Sequence, residues 1–211
     1  MRLRHTLVWG GLLSLLSACS LWPKLPPPPR MLDFGPPHGR HYHGPMLPPL
    51  AFAGLKPGVG MAGRGIHYRL LYHHPHELRV YPQVAWLGSP IRLLNTRLRN
   101  RFSALSREGV ARYVLKLTLS VWEEDFTSPQ SALVRMAIDA TLARPLDQDW
   151  QIHHIFILSQ RAPPGVSGAV AGFASLDHAF DRALTIWVAQ KTRSGQTRVD
   201  PPHEGVSTRS R

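Results

Sequence analysis

Three strong strand signals constrain this chain more than any other feature. From Tyr113 to Val121, Tyr113, Leu115, Leu117, Leu119 and Val121 alternate with Val114, Lys116, Thr118 and Ser120. From Val134 to Leu142, Val134, Met136, Ile138, Ala140 and Leu142 alternate with Arg135, Ala137, Asp139 and Thr141. A period of two places one set of side chains on each face of a sheet. Ile152 to Leu158 is more continuously apolar and predicts a third strand, covered on both faces. The segments 123–131 and 145–149 carry Pro, Ser, Asp and Gln and predict meander connections. Upstream, Ile66–Tyr72 and Glu77–Tyr81 read as two shorter strands joined by a turn at Pro75.

Two stretches change period to 3.6. Ser89-Pro90 offers an N-cap and a first-turn proline. Ile91, Leu94, Leu98, Phe102 and Leu105 then form one apolar stripe. Arg92, Arg97, Arg99, Arg101 and Arg107 lie mostly off it, as a solvated face or as a face for a partner or lipid headgroup. The second helix is predicted from Ser167, as its cap, to Thr192, with Val170, Phe173, Leu176, Phe180, Leu184, Trp187 and Val188 on one side. Strands, helix, strands, helix predict a single α/β (α+β) domain, with two long helices packed on a mixed, mostly antiparallel sheet.

The N-terminus reads differently. Arg2, Arg4 and His5 precede an apolar run from Thr6 to Leu16, followed by Ser17, Ala18 and Cys19, the single cysteine of the 211 residues. A basic start, a short apolar run and small residues make a secretory signal, too short to span a bilayer. Leu16-Ser17-Ala18-Cys19 resembles the bacterial lipobox. That resemblance implies cleavage before Cys19, with diacylglycerol and an N-acyl chain such as palmitate added to it. Ser20 resembles the outer-membrane default. With its one cysteine lipidated, the chain forms no internal disulfide, so the fold rests on its core.

Residues 20–49 hold half of the twenty prolines. They predict a polyproline II tether reaching about 90 Å at roughly 3.1 Å per residue. The expected organisation is a signal peptide over 1–18, lipidated Cys19 and tether over 19–49, a folded domain over 50–192 and a disordered basic tail over 193–211. The formal net charge is +12. Export makes anionic lipid or an acidic protein the expected partner, rather than nucleic acid.

No catalytic constellation stands out. His38, His41 and His43 fall in the tether and His73, His74 and His76 beside Pro75, while a strand would place His153 and His154 on opposite faces. Turn or solvent histidines are expected, with no metal and no cofactor. Gly165-Val166-Ser167-Gly168 lacks the final glycine of a nucleophile elbow, leaving an envelope hydrolase as a remote alternative. Glu123-Glu124-Asp125 is expected to be a solvated charge run at a strand end.

Glu77-Leu-Arg-Val-Tyr81, Trp86, Ser89-Pro90, Leu93-Leu94 and Leu98 resemble the signature of the ABC-type transport auxiliary lipoproteins, the family of the Pqi-type intermembrane transport lipoprotein. The order continues with Tyr113–Leu117, a second amphiphilic strand and a closing helix ending in Ile186-Trp187, covering residues 46–190. Ala85 stands where that family often has arginine. The resemblance implies a non-enzymatic periplasmic lipoprotein on the outer membrane. It would work with MCE-domain proteins and an ABC permease and ATPase that move phospholipid or other hydrophobic molecules between membranes. Tyr81, Trp86 and Arg92, Arg97, Arg99 and Arg101 are candidate partner-binding residues, with core packing the competing role for the aromatics. The alternative is a carrier with its own apolar cavity, and homo-oligomerisation is left open.

Overall fold

The computed structural model describes residues 27–36 and 44–196. Eight strands and two helices follow in the order β1 (Arg30–Leu32), β2 (Leu50–Pro57), β3 (His67–Leu70), β4 (His74–Val80), β5 (Val84–Trp86), α1 (Pro90–Leu105), β6 (Tyr113–Ser128), β7 (Ser131–Arg144), β8 (Asp147–Ala162) and α2 (Val166–Gln196). The expected α+β architecture holds. The main sheet runs β4-β3-β6-β7-β8, with β2 also paired to β6. β6, β7 and β8 form the antiparallel meander. β2 lies parallel to the first half of β6, and β3 parallel to its second half.

β6 is longer than its alternation suggests. A register shift between Leu119 and Val121 makes Ser120 a bulge. Before it, Tyr113, Leu115, Leu117 and Leu119 face the core; after it, Trp122 and Glu124 do. One extra residue exchanges the two faces. Glu123-Glu124-Asp125 therefore lies inside a strand, and all three side chains are buried, which corrects the expectation of a solvated run. β8 corrects another expectation. It is the last strand of the sheet, and Ile155 and Ile157 are 57% and 80% exposed on its open face. Pro75, expected in a turn, sits inside β4 at the opposite edge, where a missing N–H breaks no ladder.

Both helices cover the same face of the sheet. In α1, Ser89 caps the first turn by accepting from the Arg92 N–H (3.3 Å), and Leu94, Leu98, Phe102 and Leu105 are buried. Asn95 makes two bonds of 2.8 Å to the backbone of Leu55, one in each direction. They fit beside a bulge in β2 where Gly54 has φ 102°, a conformation open to glycine. α2 packs over β7 and β8 along Phe173, Leu176, Phe180, Leu184 and Val188. Gly172 lets it approach closely, since a Cβ there would meet Val134 at 2.5 Å. Ser167, expected as the cap, lies within the first turn, because the helix begins at Val166 behind Gly165.

The boundary expected at residue 50 also moves. Phe34 and Leu47 belong to the core, and β1 pairs in parallel with β5. Proline richness masked a segment that carries its own apolar anchors. Cys19, the signal segment, residues 20–26 and 37–43 with His38, His41 and His43, and residues 197–211 of the expected tail lie outside the described residues.

Candidate functional site

The segment 30–35 crosses the end of the domain as a strap. Arg30 N–H donates to the Gln83 carbonyl (2.9 Å), and Leu87 N–H donates to the Leu32 carbonyl (2.6 Å). Gly35, at φ 75°, closes a turn by donating its N–H to Asp33 Oδ1 (2.8 Å). The turn drives Phe34 inward. Its ring meets Trp86 edge-on at 5.1 Å and Trp122 at 5.5 Å, and Trp122 stacks on Phe173 at 4.3 Å. Arg97 closes the clasp. Its guanidinium lies 5.2 Å above the Phe34 ring, donates to the Gly35 carbonyl (2.9 Å) and pairs with Asp177 (2.7 Å).

A groove opens on each side of the strap. The larger, about 730 Å³, lies between the strap, β5 and the first turns of α2, on Met31, Leu32, Val84, Val166, Val170 and Ala174. The smaller, about 500 Å³, lies between the strap and α1, on Leu87, Leu93, Thr96 and Asn100. Both fall in the roughly 300–1,000 Å³ range of small-molecule sites. Met31 and Leu87 remain 42% and 59% exposed. Arg30 borders the larger groove and Arg92 the smaller, with Asp33 on both. This arrangement can receive apolar chains or side chains beside a rim that carries both charges.

No family model matches the sequence, and no curated protein matches it. The fold is shared with solved structures. Protein XCC0632 from Xanthomonas campestris, of family model DUF330, is similar with a TM-score of 0.62 at 18% identity, over 72% of this chain and 91% of its own. An uncharacterized protein is similar at 0.55 and 14%, over 70% of this chain and 96% of its own. These likenesses concern the fold.

The residues singled out from sequence part company in the structure. Trp86 is fully buried against Phe34 of the strap and presents no surface to a partner. Tyr81 is half-buried and donates its hydroxyl to Glu124 Oε2 (2.6 Å). Arg92 and Arg97 line the smaller groove, Arg97 already engaged. Arg99 lies 5.7 Å above Phe52, beside a separate depression against β2. Arg101 is buried and departs from the solvated face: it pairs with Asp181 (2.8 Å) and donates to Thr185 (2.8 Å). Ser167 lines the larger groove among apolar neighbours. His153 faces Thr141 and Gln151, while His154 stacks against Trp187. Among the described residues, no group of three His, Cys, Asp or Glu is placed to hold a metal.

Phe34, Asp177 and Asp181 escaped the sequence reading. A signal for the two acids was present: Asp177 and Asp181 repeat on α2 the four-residue spacing of Arg97 and Arg101 on α1, so the pairs can meet rung by rung. Burial pushes the Asp177 carboxyl up against the pull of Arg97, and raises Asp181 to about 6 against Arg101. Glu124 is also pushed up by burial, opposed by hydrogen bonds from Tyr81 and from the Gly165 N–H (3.2 Å) at the start of α2. On the open sheet face, Asp125 is raised by burial and held by Arg135 (3.0 Å), beside the Arg69–Glu123 pair (3.0 Å).

Proposed function

We propose that this chain is a lipid-anchored protein of the bacterial envelope. It is fastened through Cys19 to the periplasmic face of the outer membrane. It works without catalysis as the auxiliary component of an ABC- and MCE-type system that moves phospholipid or other hydrophobic molecules. One observation carries the reading: the wall shared by the two grooves is the strap, which begins eleven residues after Cys19 in the sequence. Ten residues, 20–29, separate that cysteine from β1, and a chain of that length reaches at most about 35 Å. An anchored domain on that leash keeps its grooves near the membrane, where an apolar segment of a partner or its cargo would arrive. The acyl chains on Cys19 give stable attachment, since a single chain alone holds marginally.

In vivo crosslinking from position 87 or 92 tests the docking role. Recovery of an MCE-domain protein is the expected result, and its absence from crosslinked material overturns it. Separately, Cys19→Ala should lose the lipid or stay uncleaved and leave the outer-membrane fraction; unchanged fractionation refutes the anchor. The volume of the grooves favours a second reading, in which the domain itself carries lipid. Phospholipid that co-purifies with the full chain and is lost on Ala171→Trp, at a residue lining the larger groove, would favour the carrier; an empty, lipid-free groove would favour docking.

A further inference from the structure

The two edges of the main sheet are built differently. β4 carries Pro75 and the exposed Glu77–Arg79 pair (2.6 Å), devices that discourage another strand from adding on. β8 has none of them along its middle. It runs sixteen residues, Asp147–Ala162, without proline or lysine, and pairs only with β7 among the described residues. Its charges stand near its ends, at Asp147, Asp149 and Arg161. Its open face presents Ile155 and Ile157. Ile157 continues an apolar row, since Val121 of β6 pairs with Ala137 of β7 and Ala137 with Ile157, while Ile155 lies beside Asp139.

From these observations we propose that β8 is a homodimer interface, pairing antiparallel with β8 of a second copy about a two-fold axis through Phe156. A two-fold perpendicular to the sheet pairs residues of equal parity, so the same faces stay together. Centred on Phe156, Ile155 of each copy opposes Ile157 of the other. His153 opposes Ser159, and Gln151 opposes Arg161. Arg161 then lies diagonally next to Asp149 of the second copy, within reach of a cross-strand ion pair. Moving the axis to Ile155 or Ile157 leaves one isoleucine of each copy against His153 or Ser159. The Phe156 register therefore joins both apolar pairs and brings opposite charges together. It satisfies the outer backbone groups of β8 and extends the sheet across two copies. The strap and its grooves lie on the helices' side of the domain and stay open.

Native mass spectrometry of the full-length chain released from detergent, with hydrogen exchange of β8 amides over a dilution series, tests this. The expected result is a dimer with a Kd of about 10 µM or tighter, and β8 amides whose protection falls on dilution while those of β7 stay protected. Ile157→Lys, at an exposed position, should give a monomer with an unchanged far-UV spectrum, its alternate β8 amides exchanging at least tenfold faster. Asp149→Arg should weaken the dimer, and Asp149→Arg with Arg161→Asp should restore it. A wild-type chain that is monomeric with fast-exchanging β8 amides overturns the proposal. A dimer that survives Ile157→Lys overturns it as well.

Discussion

Phe34→Ala decides whether residues 30–35 are tether or fold. In a tether, truncating a side chain changes stability by no more than about 0.5 kcal/mol. Phe34 is only 3% exposed, lies between Trp86 and Trp122 and is capped by Arg97. Removing a buried Phe costs about 3–5 kcal/mol, and aromatic pairs add about 0.5–1.5 kcal/mol beyond the buried area. The strap pairs through only three residues of β1 and can partly collapse into the vacated space, so about 4 kcal/mol is expected overall. With a urea slope of about 2 kcal/mol/M, the unfolding midpoint should fall by about 2 M with little change in slope. Tryptophan fluorescence is the natural readout, because two indoles border the site. Phe34→Leu should lose about 1.5 kcal/mol, and Met31→Ala, on the same strap but facing the groove, much less. A midpoint shift below about 0.5 M for Phe34→Ala would refute the packing account and restore a spacer to that position.

The Arg97 clasp couples to the same residue. Arg97→Ala leaves the Asp177 carboxylate buried without its cation and should cost about 3 kcal/mol; with Phe34→Ala the losses should be less than additive, and strict additivity in the double-mutant cycle would sink the clasp. Burial holds Asp181 at about 6, above its unfolded range near 3.9, so between those values the folded chain binds the extra proton and stability falls as pH rises. The whole window corresponds to about 3 kcal/mol. Asp181→Asn should flatten the rise in urea midpoint seen on going from about pH 7.5 to about pH 4.5. His67, lowered by burial, pulls the other way in both proteins and cancels in the comparison; parallel profiles would refute the assignment.

The local signals did most of the work for the scaffold. Alternation placed β6 and β7, a continuous apolar run placed β8, Ser89-Pro90 placed the start of α1, and the apolar stripes identified which face of each helix is buried, because these patterns are properties of neighbouring residues. What lies opposite each element is a different matter. Ile152–Leu158 is as apolar as a central strand, yet its position at the sheet edge leaves Ile155 and Ile157 in solvent. Glu123, Glu124 and Asp125 look solvated in sequence, but the Ser120 bulge carries them along the strand into contact with Arg69, Arg135 and Tyr81. Arg101 resembles any other helix arginine until Asp181 and Thr185 arrive from eighty residues away.

The strap shows the division most sharply. The two helices and the alternating strands depend only on residues close in the chain, and composition and order determined them. Proline content alone described residues 30–35 as spacer. Tertiary structure decided otherwise, because Phe34 gains its stability from Trp86, Trp122 and Arg97, which the chain reaches only after more than fifty residues. The grooves exist for the same reason: they are spaces between elements, bounded by side chains that no local pattern brings together.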